Sequence, residues 1–78
     1  MKRNNKISCT VYAVIWSNIK RYQYLYSISD DELSQMLGIT KRTLYSYEKD
    51  PSHISLKCLQ LFLDNSGNSI EMLFSSLT

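Results

Sequence analysis

Lys41, Arg42, Thr43, Tyr45, Ser46 and Lys49 crowd one short stretch of the chain. Their chemistry is that of contact. An Arg42 guanidinium can donate two parallel hydrogen bonds to O6 and N7 of a guanine edge, and the Lys41 ammonium can reach the same acceptors. Thr43 offers a methyl to thymine or a hydroxyl to phosphate. Tyr45 can pack on a sugar or a thymine methyl. Bond-making chemistry is not legible. His53 is the only His, and the chain has neither a Gly-x-Ser-x-Gly elbow nor a Gly-rich phosphate loop. No catalytic residue is therefore assigned, and the chain does not read as an enzyme. Cys9 and Cys58 lie far apart without CxxC spacing. With one His they supply no zinc-ligand set, and no metal or cofactor is expected. They read as reduced, buried thiols.

Such a cluster needs a helix to present it. Residues 29–48 describe two short helices joined by a tight turn. Ser29 is an N-cap with Glu32 three residues later, which is the capping-box pattern. Asp30 and Asp31 fill the first turn, where carboxylates favour the positive helix end. Leu33 and Leu37 face inward. Gly38 follows, where a left-handed backbone is cheap for glycine. Thr40 caps the next helix, whose inward positions are Leu44 and Tyr47. Lys41, Arg42, Thr43, Tyr45 and Ser46 are then outward. The helix must end before Asp50-Pro51, because the residue preceding proline is pushed out of the α region. The layout is a helix-turn-helix, whose second helix can lie in a DNA major groove.

Flanking segments supply the rest of a core. Val11, Ile15, Ile19, Tyr22 and Leu25 recur at helical spacing, which predicts a helix from about Thr10 to Tyr26. Ser55 caps a fourth helix to about Asn65, with Leu56, Leu59, Phe62 and Leu63 apolar. Ser69 opens a short fifth helix with Ile70, Leu73, Phe74 and Leu77. Met36 and Met72 fill gaps. Trp16 lies off the Val11–Ile15–Ile19 face and marks either a dimer contact or core packing. His53 is expected in solvent. Tyr22 and Tyr47 read as core, while Tyr24 and Tyr26 are more open.

The 78 residues make one small domain, which buries only about 60–65% of the surface its unfolded chain exposes. The net charge of +2 hides an asymmetry: residues 1–27 sum to +5 and residues 28–78 to −3. Residues 1–9 read as a basic N-terminal arm, with Lys2, Arg3 and Lys6, and residues 10–78 as the helix-turn-helix domain. The apolar run at 7–16 is too short to span a bilayer and has no cleavage site after it. A cytoplasmic protein without membrane contact is expected.

Over residues 19–74 the chain resembles the Cro/repressor type of helix-turn-helix domain found in phage repressors and Xre-like bacterial regulators. Ile19, Tyr22, Ile28-Ser29, Leu33-Ser34, Leu37-Gly38-Ile39-Thr40, Thr43-Leu44, Tyr47-Glu48, Pro51, Leu56, Leu59, Gly67 and Leu73-Phe74 carry the resemblance. It implies an all-α, five-helix lambda-repressor-like fold with the helix-turn-helix at helices 2 and 3. It also implies a transcriptional regulator of phage, prophage or plasmid type that binds a double-stranded DNA operator as a homodimer. Lys41, Arg42, Tyr45 and Ser46 match the family's base- and backbone-reading positions. Ser29 matches a phosphate contact, and Lys49 the loop approaching the backbone.

Two positions depart from the family. Asp30 stands where Gln is frequent, and a carboxylate repels phosphate. Helix capping accounts for Asp30-Asp31-Glu32; weaker DNA binding or an acidic contact for a protein partner are the alternatives. Gln23 stands where Arg often pairs with the Glu matched by Glu48, so a Gln23–Glu48 hydrogen bond is expected. The acidic triplet and the apolar 7–18 segment also motivate a rival function, a protein-binding helix-turn-helix module such as an antirepressor or a modulator of another regulatory protein.

Overall fold

Short-range capping chemistry divides the chain into its elements. A computed structural model describes residues 10–75. Four α-helices appear: α1 (Thr10–Leu25), α2 (Asp30–Leu37), α3 (Lys41–Lys49) and α4 (Leu56–Ser66). Two 3-10 segments, Pro51–His53 and Ile70–Phe74, complete the order, and no strand occurs among the described residues. The expected fifth α-helix is thus a 3-10 helix of five residues. Its N-cap residue Ser69 makes no side-chain capping bond, and the Ser75 N–H closes back on the Met72 carbonyl. So short a segment has little α-helical cooperativity to draw on, and the tighter i→i+3 pattern suffices. The basic arm 1–9 and Leu77 lie outside the described residues.

The two-helix unit is closed at each junction. Ser29 Oγ accepts from the Glu32 N–H at 3.1 Å, and Glu32 Oε1 accepts from the Ser29 N–H at 3.0 Å. At the other end of α2, Gly38 has φ 73° and ψ 33°. Its N–H donates to the Gln35 carbonyl, and Ile39 N–H donates to the Ser34 carbonyl at 2.9 Å. This is the two-bond closure of a Schellman motif. The left-handed backbone favours glycine there, and a Cβ on Gly38 would lie 2.6 Å from Leu61 Cδ1, so that side chain would have to shift. Thr40 Oγ1 then accepts from Thr43 N–H at 3.1 Å and starts α3. Asp50 ends α3 and caps the Pro51–His53 turn through Ser52, and Ser55 Oγ caps α4 through Cys58 N–H.

Ile19, Leu33, Leu37, Leu44, Phe62 and Leu73 are the fully buried centre. α1 packs on the Pro51–His53 turn and on the C-terminal 3-10 helix, while α2 packs on α3 and α4. Met36 and Met72 are half-buried against this core.

Several core assignments change. Trp16 is buried and meets Tyr47 edge-on at 5.9 Å, so it is core and not a dimer contact. The buried stripe of α1 is wider than the Val11–Ile15–Ile19 line and takes in Trp16, Asn18 and Gln23. Val11 and Leu25, at its two ends, are exposed. Leu56 is 84% exposed. It precedes Phe62 by six residues, a rotation of about 120° from the most buried side of α4 at 3.6 residues per turn. Ile70 and Phe74 flank the buried Leu73 and are exposed. Asn18 was unmarked by the sequence pattern. Its Nδ2 donates to the Leu73 carbonyl at 2.8 Å and to the Ser75 carbonyl at 3.3 Å, joining α1 to the C-terminal segment.

Candidate nucleic-acid interface

Leu44 and Tyr47 are buried and fix the rotation of α3. At 3.6 residues per turn, Arg42, Ser46 and Lys49 then fall on the opposite side, Tyr45 beside them, and Lys41 toward the flank. Lys41, Arg42, Tyr45, Ser46 and Lys49 are exposed, and Thr43 is half-buried. An open groove is lined by Arg42, Tyr45, Ser46, Lys49, Asp50 and His53. Of the expected α3 residues, Arg42, Tyr45, Ser46 and Lys49 are gathered on this surface, whereas Lys41 and Thr43 do not line it. His53 is exposed, as expected, and stands 3.6 Å from Asp50. It joins this groove, a placement the loop sequence did not announce.

The residues differ in what already occupies them. Lys41 Nζ lies 3.2 Å from Asp31 Oδ1. Hydrogen bonding and charge attraction from Asp31 raise the Lys41 pKa. Tyr45 donates its hydroxyl to Asp30 Oδ2 at a long 3.4 Å. Thr43 Oγ1 accepts from Thr40 Oγ1 at 3.2 Å, so it is engaged in the cap. Ser29 is exposed, yet its Oγ and N–H are both used in the capping box. Among the described residues, no side-chain hydrogen bond or ion pair ties Arg42, Ser46 or Lys49 to a neighbour. At the far end, Ser52 donates its hydroxyl and N–H to Asp50 at 2.7 and 3.1 Å. Those bonds lower the Asp50 pKa, so it remains an anion beside the groove.

The expected Gln23–Glu48 bond does not form. Gln23 is buried and donates from Nε2 to Asp30 Oδ1 at 2.9 Å. Glu48 instead pairs with Lys20, whose ammonium also sits 5.9 Å from the centre of the Trp16 ring. Lys20 stands three residues, just under one α1 turn, before Gln23. The α1 flank thus meets α2 through Gln23 and α3 through Lys20. Asp30 is neither a plain capping residue nor a free surface charge: it is the acceptor that holds Gln23 and Tyr45. The sequence signal available for this was two acids in a first turn, which by itself names no partner.

Tyr22 packs edge-on against Phe62 with ring centres 5.5 Å apart, while Tyr24 and Tyr26 are exposed. Cys58 is buried beside the Tyr47 hydroxyl, with oxygen and sulfur 3.8 Å apart. Cys9 lies outside the described residues. Among those residues, no group of three or more His, Cys, Asp or Glu side chains could hold a metal ion. No described helix is long and apolar enough to cross a membrane. Compared with models of known protein families, with curated proteins and with solved structures, the chain gives no significant match.

Proposed function

We propose that this chain is a lambda-repressor-like helix-turn-helix regulator that binds duplex DNA in a sequence-specific way. The observation that carries the reading is the exposed side of α3. Arg42, Ser46 and Lys49 stand opposite the buried Leu44 and Tyr47, on a helix whose start and preceding turn are both capped. A short helix with a basic, donor-rich outer side and an anchored inner side suits insertion into a major groove. The regulator acts sterically, by covering a promoter as a homodimer on a partly two-fold operator. The exposed Val11, Tyr12, Ile70 and Phe74 supply apolar surface for the dimer contact. The small size suits a phage, prophage or plasmid regulator working in the cytoplasm.

A second reading rests on Asp30 and Asp31, which put carboxylates beside α3. In it, the unit binds another regulatory protein as an antirepressor or modulator. Selection of duplexes from a random pool, at two salt concentrations, separates the two. Recovery of a two-fold motif, with affinity falling steeply as salt rises, supports DNA binding. Recovery of nothing above background rejects it.

A further inference from the structure

The carboxylates of the α2 first turn reach sideways in a way that capping does not require. The cap is complete with Ser29 and Glu32. Asp30 and Asp31 instead contact α3. Asp31 Oδ1 is 3.2 Å from Lys41 Nζ. Asp30 is held between two helices, with Oδ1 accepting from the buried Gln23 of α1 at 2.9 Å and Oδ2 accepting from Tyr45 of α3 at 3.4 Å. Gln23 has little freedom to release it, because a buried amide without an acceptor is costly.

We infer that Asp30 and Asp31 are specificity-determining residues that divide α3 into a clasped half, Lys41 and Tyr45, and a contacting half, Arg42, Ser46 and Lys49. The inference rests on the DNA-binding reading above. A phosphate or base approaching Lys41 meets an ammonium already paired with Asp31 and must sit beside that carboxylate. One approaching Arg42 or Lys49 meets a cation with no anion bonded to it among the described residues. The two classes of cation lie within nine residues of one helix. They look equivalent by charge and exposure. The clasp also narrows what the domain accepts, since discarding a cation near a groove removes sequence-independent attraction.

The test measures binding to a mixed-sequence duplex of about 20 base pairs, two helical turns, across a salt series. The proteins are the parent chain, Lys41→Ala, Arg42→Ala, Lys49→Ala, Asp31→Asn and the double variant Asp31→Asn/Lys41→Ala. In the parent background, Lys41→Ala should change affinity by less than about twofold, with an unchanged salt slope. Arg42→Ala and Lys49→Ala should each lower affinity about eightfold at 0.1 M salt and flatten the log–log slope by about 0.9, one released counterion each. Asp31→Asn should raise affinity about threefold to tenfold and steepen the slope by about 0.9, and adding Lys41→Ala should abolish the gain. If Lys41→Ala costs as much as Arg42→Ala, and Asp31→Asn changes neither affinity nor slope, the clasp is overturned while DNA binding stands. If no variant binds at any salt, both the reading and the clasp fall. Circular dichroism of each variant checks that α2 remains folded.

Discussion

Gly38→Ala tests the turn that aims α3. Two separate penalties act there. A φ of 73° is left-handed, which costs an L-residue about 1–2 kcal/mol. The new Cβ would also stand 2.6 Å from Leu61 Cδ1, well inside contact. Leu61 is half-buried and can rotate, so the steric part should be an off-rotamer cost of about 1 kcal/mol. The total is about 2–3 kcal/mol, a large share of the roughly 4–12 kcal/mol available to a domain of this size. Gly67 provides a matched control. Its φ is 76°, but nothing lies within 4 Å of a Cβ there. Gly67→Ala should therefore show only the backbone part, about 1–2 kcal/mol. Urea unfolding, followed by fluorescence of the single Trp16, measures both. In a Leu61→Ala background, the cost of Gly38→Ala should fall by about 1 kcal/mol to the Gly67 value. The reasoning fails if Gly38→Ala costs no more than Gly67→Ala, or if Leu61→Ala leaves its cost unchanged.

Three further outcomes are expected. Asn18→Ala removes the donor to the Leu73 and Ser75 carbonyls and should cost about 2–3 kcal/mol, with faster amide exchange in Ile70–Phe74; unchanged exchange there would reject the tether. Ser27 is a non-glycine residue at φ 53°, so Ser27→Gly should stabilise by about 0.5–1 kcal/mol and raise the melting temperature by about 3–6 °C; a lower melting temperature would show that the backbone there is unstrained. Burial, then the contact with Cys58, raises the Tyr47 pKa above its ordinary 10.0. The folded state thus keeps that proton longer than the unfolded chain does. Its contribution is fully present below pH 10.0 and is lost as pH rises through the folded value. Tyr47→Phe should accordingly flatten the alkaline limb of a stability–pH curve, and identical limbs in both proteins would contradict the burial argument.

Helix limits were legible because the groups that set them are three to four residues apart. Ser29 with Glu32, Thr40 with Thr43 and Ser55 with Cys58 all cap as their spacing demands. Gly38 adopts the left-handed backbone expected after α2, and α3 stops at Lys49 before Asp50-Pro51. The rotation of α3 was also legible, since Leu44 and Tyr47 leave one arrangement for its basic residues. The breadth of the α1 stripe was not. Trp16 is open between a dimer contact and core packing, and Gln23 is expected beside Glu48, until α3 and α2 lie against them.

The sequence alone therefore determined an all-helical chain, its caps and the outward basic side of α3. Those depend on backbone bonds and helical periodicity, both local. Only the tertiary structure decided that Gln23 holds Asp30, that Lys20 takes Glu48 and that Asp31 takes Lys41. It also decided that Ile70–Phe74 is a 3-10 helix and that Leu56 faces solvent. Side-chain partners across helices depend on how the axes cross and how far each side chain reaches. Lys20 and Gln23 are three residues apart on α1, and only the packed helices decide that Glu48 pairs with the first and Asp30 with the second.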